Sequence, residues 1–260
     1  MALLKKFQKD TVDVRVYDTN ECMGQAVADE VEKAIQTLFN EKEEISIIFS
    51  AAPSQFTTFD ALKKKKSIDW SRITMFHVDE VAGLAKDDPT NLRNYIEHWF
   101  SKDLPFKQKF FFDTTARDLT AECRRYAKLL EEYDPDIAIL GFGDNGHIAL
   151  DEPGISPFND PEIVKVVRQH EMTMHQSMAP GGGRVARKEG REFGYTITLP
   201  VLMKVRYKFF AVPTDAKADA ARRAIFGEIS EDCPASIIRL HQGVIACFNA
   251  DSAKYFDQEL

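Results

Sequence analysis

The sequence predicts an α/β fold, a mostly parallel sheet with helices on both faces, in a Rossmann-like single domain spanning residues 1–260. Three observations predict it. Apolar runs of strand type alternate with amphipathic stretches along the chain, the order that builds βαβ units. Several runs, such as "ISIIFSAA" and "DIAILGFG", are apolar almost without interruption, as strands covered on both faces are. The length of 260 residues suits one large domain, and no internal repeat or low-complexity linker divides it.

Taken in order, "VDVRVYD" reads as a first strand. "CMGQAVADEVEKAIQTLF" reads as a helix, with Ala26, Val27, Val31, Ala34, Ile35 and Leu38 at helical spacing. "ISIIFSAA" is the next strand, and "SQFTTFDALKKKK" a helix that ends in a solvated lysine run. "ITMFHVDE" is a strand, and "TNLRNYIEHWF" and "LTAECRRYAKLLEEY" are helices. "DIAILGFG" is the central strand; "YTITL", "YKFFAVP", the helix "DAKADAARRAIFG" and the strand "GVIACF" follow. Residues 170–191, "HEMTMHQSMAPGGGRVARKEGR", break the pattern with three consecutive glycines and several cations, and are expected to form a mobile loop or lid.

The chain is 44% hydrophobic and 29% charged, enough for a full core and a polar surface. A net charge of -7 argues against nucleic acid or an anionic membrane as partner. A phosphorylated ligand would need a local basic pocket. Cys22, Cys123, Cys233 and Cys247 lie far apart with no CxxC pair, so they read as reduced thiols. The opening "MALLKKFQKD" lacks the apolar stretch of a signal peptide, and no run approaches the ~18 apolar residues of a membrane span. The expected compartment is the cytoplasm. Oligomeric state, a homo-oligomer included, is left open.

In open parallel sheets, ligands sit beyond the carboxyl ends of the strands, and three such ends carry suggestive chemistry. "IIFSAAPSQ" supplies small residues and two hydroxyls, Ser50, Ala51, Ala52 and Ser54, a loop whose N–H groups suit a phosphate or simply a polar turn. "FHVDEVAGL" sets Asp79 and Glu80 directly after an apolar run. Adjacent carboxylates alternate faces, so at most one points into a cleft, and helix capping competes with catalysis. "GFGDNGHIALDEPG" crowds Asp144, Asn145, His147, Asp151 and Glu152 among four glycines. A histidine there can relay protons near neutrality with Glu152 orienting it, or be a loop histidine satisfied by a neighbour. Lys217 follows "FFAVPTD", either as an exposed helix cation or as a phosphate ligand at the mouth of the same crevice. No HxH or HExxH pattern exists, so no metal is expected.

"FHVDEVAGL" with "DPTNLRNYI", then "GFGDNGHIALDEPG", then "AVPTDAKADA", in that order across residues 45–248, resembles the glucosamine-6-phosphate deaminase/isomerase family, which shares its fold with the 6-phosphogluconolactonases. "GHIALDEP" is the specific part; the lactonases typically follow Gly-His with Thr-Ala-Ser-Leu and a proline, which is absent. The resemblance implies aldose–ketose isomerisation of a hexosamine 6-phosphate with loss of ammonia, and no cofactor. It implies Asp79 as the base moving a proton between C2 and C1, His147 with Glu152 as the ring-opening group, Lys217 and the loop from Ser50 to Ser54 as the phosphate cradle, and Asn145 as a substrate-side residue. The sequence departs from that family at Asn145, where an Asp is usual, in its phosphate loop, and in the segment that usually carries a substrate arginine, where Arg184 is the nearest candidate. These departures leave open whether the hexosamine is of glucosamine or galactosamine type. A lactonase and a sugar-phosphate sensor without turnover are the competing readings.

Overall fold

The computed structural model describes residues 2–168 and 192–260. The expected lid at 170–191 and Arg184 lie outside them. Strands β1 (Leu3–Lys9) and β2 (Val12–Tyr17) form an antiparallel hairpin. Helix α1 (Asn20–Phe39) follows, with the Thr19 hydroxyl accepting from Cys22 N at its start. It buries Val27, Val31, Ile35 and Leu38 at helical spacing, each fully buried side chain contributing about 1.5–3 kcal/mol. After β3 (Ile45–Phe49), α2 (Phe56–Lys63) crosses α1 so closely that a Cβ at Gly24 would fall 2.3 Å from Thr57 Oγ1.

Strand β4 (Ile73–His77) ends at His77, and after Val78 alone β5 (Asp79–Val81) begins. Helix α3 (Leu92–Ile96) runs into a π-helical turn, Glu97–Ser101. Then come β6 (Gln108–Phe110), α4 (Leu119–Tyr133), β7 (Ile137–Leu140), β8 (Val164–Arg168) and β9 (Phe193–Ile197). The described chain closes with α5 (Leu199–Lys204), β10 (Tyr207–Val212), α6 (Ala218–Phe226) and β11 (Val244–Asn249).

The main sheet has eight strands in the order β1-β2-β11-β10-β7-β3-β4-β6, all parallel except the β1–β2 pair. One core, around Val14, Phe76, Tyr126, Phe210 and Phe248, covers one face; another, around Val27, Ile47, Phe49, Phe59 and Ile139, covers the other. The expected parallel sheet with helices on both faces is therefore present. The chain runs from β3 outward through β4 to β6, then returns to set β7 on the other side of β3. The order reverses between β3 and β7, the place where open α/β sheets bind ligands.

The structure differs from the sequence reading in three places. "ITMFHVDE" is not one strand: Asp79 and Glu80 leave the main sheet and join a second, three-stranded antiparallel sheet, β5-β9-β8. "YTITL" belongs to β9 of that small sheet and not to the parallel one. Strands β1, β6 and β8 carry charges and short runs that hide their period, so the alternation used above passes over them.

Candidate active site

The carboxyl ends of β3, β4, β7 and β10 frame a cavity of about 410 Å³. Ser50, Ala51, Ala52 and Ser54 line it after β3, Asp79 after β4, His147 after β7 and Lys217 after β10. Residues that sequence reasoning placed on separate loops thus share one space. Gln55, fully buried, donates to Leu140 O at 3.0 Å and to Ser54 Oγ at 3.2 Å, and Ser50 N donates to Ile139 O at 3.0 Å, tying the 50–54 loop to β7.

The two carboxylates at 79 and 80 divide the roles left open above. Asp79 lines the cavity. Burial, and then the charge of Glu80, push its carboxyl up to about 8. Glu80 is fully buried and accepts from Val81 N at 2.8 Å, Leu92 N at 3.0 Å and Arg93 N at 2.8 Å, so it caps α3 together with Asn91. Burial raises Glu80 to about 7 against the pull of those donors. Behind it stands His77, fully buried, with Nδ1 3.9 Å from Glu80 Oε2; burial and Arg93 push it down to about 3, so this ring is neutral.

The segment after β7 folds back on itself through glycines. Gly143 N donates to His147 O at 2.8 Å, and Gly146, at φ +93°, donates to Gly143 O at 3.0 Å. The imidazole lies flat against Gly143, where a Cβ would fall 2.0 Å from His147 Cε1. Asn145 does not line the cavity but sits beside the ring. Its Oδ1 accepts from His147 N at 3.0 Å, which fixes the amide orientation, because a backbone N–H can only donate. Its Nδ2 therefore donates to Glu152 Oε2 at 2.8 Å. His147 Nδ1, 2.8 Å from the same Oδ1, must then carry its proton, leaving Nε2 with a free lone pair. Glu152, buried at 1% exposure, stands 3.5 Å from Nδ1 and acts on the ring mainly through the Asn145 amide. Ala149, at φ +56°, carries a side chain in the left-handed region in this same loop.

At the opposite rim, Lys217 Nζ donates to Phe142 O. Burial pushes the ammonium down to about 8, with Asp144 pulling it back up. Thr214, a β-branched residue at φ +78°, lines the cavity beside it and donates its N–H to Asn249 Oδ1 at 3.2 Å, strain of the kind that gathers at functional sites. Sequence reasoning named Asp144 in the crowded segment but did not single out Thr214 or Tyr95, which also line the cavity. A run of small residues followed by a lysine gave no sign of Thr214's conformation. Among the described residues, no group of three or more His, Cys, Asp or Glu side chains stands together as a metal site would require.

Comparison with known proteins identifies the family and the fold. Residues 18–247 match the model of the family described as Glucosamine-6-phosphate isomerases/6-phosphogluconolactonase. A glucosamine-6-phosphate deaminase of Bacillus cereus (strain B4264) is 30% identical over 235 residues, covering 90% of this chain and 85% of its own. The solved structure of a monomeric glucosamine-6-phosphate deaminase superposes with a TM-score of 0.82 at 28% identity, covering 93% of this chain and 98% of that one. The 6-phosphogluconolactonase of Thermotoga maritima has a TM-score of 0.71 at 18% identity, with 92% and 99% covered, a likeness of fold. The chain belongs to the glucosamine-6-phosphate isomerase/6-phosphogluconolactonase family.

Proposed function

We propose that the protein is an amino-sugar-phosphate deaminase/isomerase that converts a hexosamine 6-phosphate to a ketose 6-phosphate and ammonia. The observation that carries this reading is that Asp79 and His147 face one cavity with Lys217 at its rim. Lactone hydrolysis needs no buried carboxylate to carry a proton between two carbons.

In this reading, Lys217 and the 50–54 loop hold the phosphate. The lone pair on His147 Nε2 takes the proton of the anomeric hydroxyl and returns it to the ring oxygen, opening the sugar. Asp79 takes the proton from C2 while the ammonium gives one of its protons to O1, forming an enolamine, and Asp79 then delivers its proton to C1, which leaves an iminium at C2. Water adds there and ammonia leaves. Burial keeps Asp79 largely protonated at neutral pH. The substrate's own ammonium favours the carboxylate that the step requires. No cofactor takes part. The cytoplasm is the compartment we assign, on composition, and a homo-oligomer remains compatible with the reading.

The test is incubation of the purified protein with glucosamine 6-phosphate, galactosamine 6-phosphate and 6-phosphogluconolactone. Ammonium and ketose released in equal amounts from a hexosamine support the proposal. Lactone hydrolysis with no ammonium from either hexosamine overturns it.

A further inference from the structure

The small sheet places three side chains in one row. Asp79 on β5 is the register partner of Thr196 on β9, and Thr196 is the partner of Lys165 on β8. Direct partners in antiparallel strands project from the same face. Against that face lies the end of the loop that carries His147. Thr196 Oγ1 accepts from Leu150 N at 3.2 Å and donates to Asp151 Oδ2 at 3.1 Å. The carboxylate is a stronger acceptor than Ile197 O, 3.2 Å from the same hydroxyl. Lys165 Nζ stands 3.6 Å from Asp151 Oδ1 and is held by Asp160 at 2.7 Å and by Ile155 O at 3.2 Å. Thr196 and Asp151 are both fully buried. The loop closes on itself at the same point, where Asp151 N donates to Ile148 O at 2.9 Å.

A buried carboxylate is costly to maintain, and burial pushes Asp151 up to about 7. An apolar residue would fill the site more cheaply. What the Thr196–Asp151 contact provides is geometry. Asp79 and His147 sit on different elements, one on the small sheet and one on the loop after β7. Thr196 joins these two elements by direct hydrogen bonds, one to the Leu150 backbone and one to the Asp151 carboxylate.

We infer that Thr196 and Asp151 are positioning residues that set the distance between the Asp79 carboxylate and the His147 imidazole. Neither touches substrate. The inference rests on the roles proposed above for Asp79 and His147. It makes Thr196 a control over turnover that the phosphate end of the cavity does not feel.

Replacing Thr196→Val keeps the shape and removes the hydroxyl. A reacting group displaced by about an ångström costs on the order of a hundredfold. The expected loss in kcat is therefore about tenfold to a hundredfold, with KM for the hexosamine phosphate within about twofold of wild type. Thr196→Ser restores kcat. Hydrogen exchange at the Leu150 amide should accelerate in the Val variant and not in the Ser variant. If Thr196→Val turns over like wild type, or if the Val and Ser variants lose kcat alike, the inference fails. Should Thr196→Val not fold, Asp151→Ala and Asp151→Asn put the same question from the other partner. Asn keeps an acceptor for the hydroxyl and should retain kcat; Ala should lose it with KM held. Wild-type kcat in Asp151→Ala overturns the inference. A wild-type protein that releases no ammonium from any hexosamine phosphate instead refutes the proposed function, so the two failures are distinct.

Discussion

At Asp79, the fold opposes the charge that the proposed proton transfer needs. Burial and Glu80 raise the carboxyl from 3.8 to about 8. The folded state thus binds this proton more tightly than the unfolded chain does. The stability that the proton supplies is complete below pH 3.8 and declines as pH rises to about 8, because over that window only the unfolded chain ionises. Asp79→Asn mimics the protonated acid at every pH. It should abolish turnover, and its Tm should match wild type near pH 4 and exceed it by several degrees at pH 8, as thermal scans at the two pH values will read. An equal Tm at both would contradict the burial argument. Asn145 is the second residue with a sharp expectation. Asn145→Asp would replace the amide donor that now meets Glu152 Oε2 at 2.8 Å with a second carboxylate. Two carboxylates at that distance repel each other, so the bridge from His147 to Glu152 opens. The ring is then held less firmly, and kcat/KM for the hexosamine 6-phosphate should fall by about tenfold. A variant with unchanged kcat/KM would remove Asn145 from the mechanism.

Among the elements, the junction of β4, β5 and α3 carries the most consequence. The strand β4 is legible because Ile73, Met75 and Phe76 read as a buried run, and α1, β3, β7, β10 and β11 are legible for similar reasons. The break at Val78 is not legible. It exists because β5 finds its partner in β9, with Asp79 opposite Thr196, and that pairing joins segments more than a hundred residues apart. Motifs at the ends of apolar runs, together with the family resemblance, likewise marked Asp79, His147, Glu152 and Lys217 as chemistry-bearing positions. It could not show that Asn145 bridges His147 to Glu152, because the bridge depends on the loop closing through Gly143 and Gly146. The alternation rule did anticipate that only one of Asp79 and Glu80 would enter the cleft. Glu80 faces α3 and takes three backbone N–H groups. In Glu80→Gln one charged acceptor is lost, which should lower stability by about 1.5–3 kcal/mol. The variant also removes the neighbouring negative charge from Asp79, so the acidic limb of the rate profile should shift to lower pH. Urea unfolding and a pH–rate series measure the two effects. Destabilisation without any shift of the limb would show that Glu80 is a cap and nothing more.

The molecule as a whole carries a net charge of -7, so its field repels a phosphorylated sugar at long range. Affinity has to be local, and among the described residues lining the cavity Lys217 is the only lysine or arginine. Turnover by side chains alone, with no metal step, should survive exhaustive chelation; loss of activity restored by a single divalent ion would refute that. The reliance on one ammonium gives the last expectation. Burial lowers Lys217 from 10.5 to about 8, so the fold holds the charged form at a cost. The stability linked to this group is complete above pH 10.5 and is lost as pH falls through about 8. Lys217→Met keeps the stem and removes the charge, so unliganded Tm at pH 7 should not fall. Binding should fall. A charge-assisted contact contributes about 1.5–3 kcal/mol, so KM for the hexosamine 6-phosphate should rise by roughly tenfold or more. The wild-type affinity should itself weaken as pH rises past about 8, where the ammonium is lost, and the variant should show no such decline. A variant with lowered Tm, unchanged KM and the wild-type pH dependence would make Lys217 a structural residue and leave the phosphate to other groups.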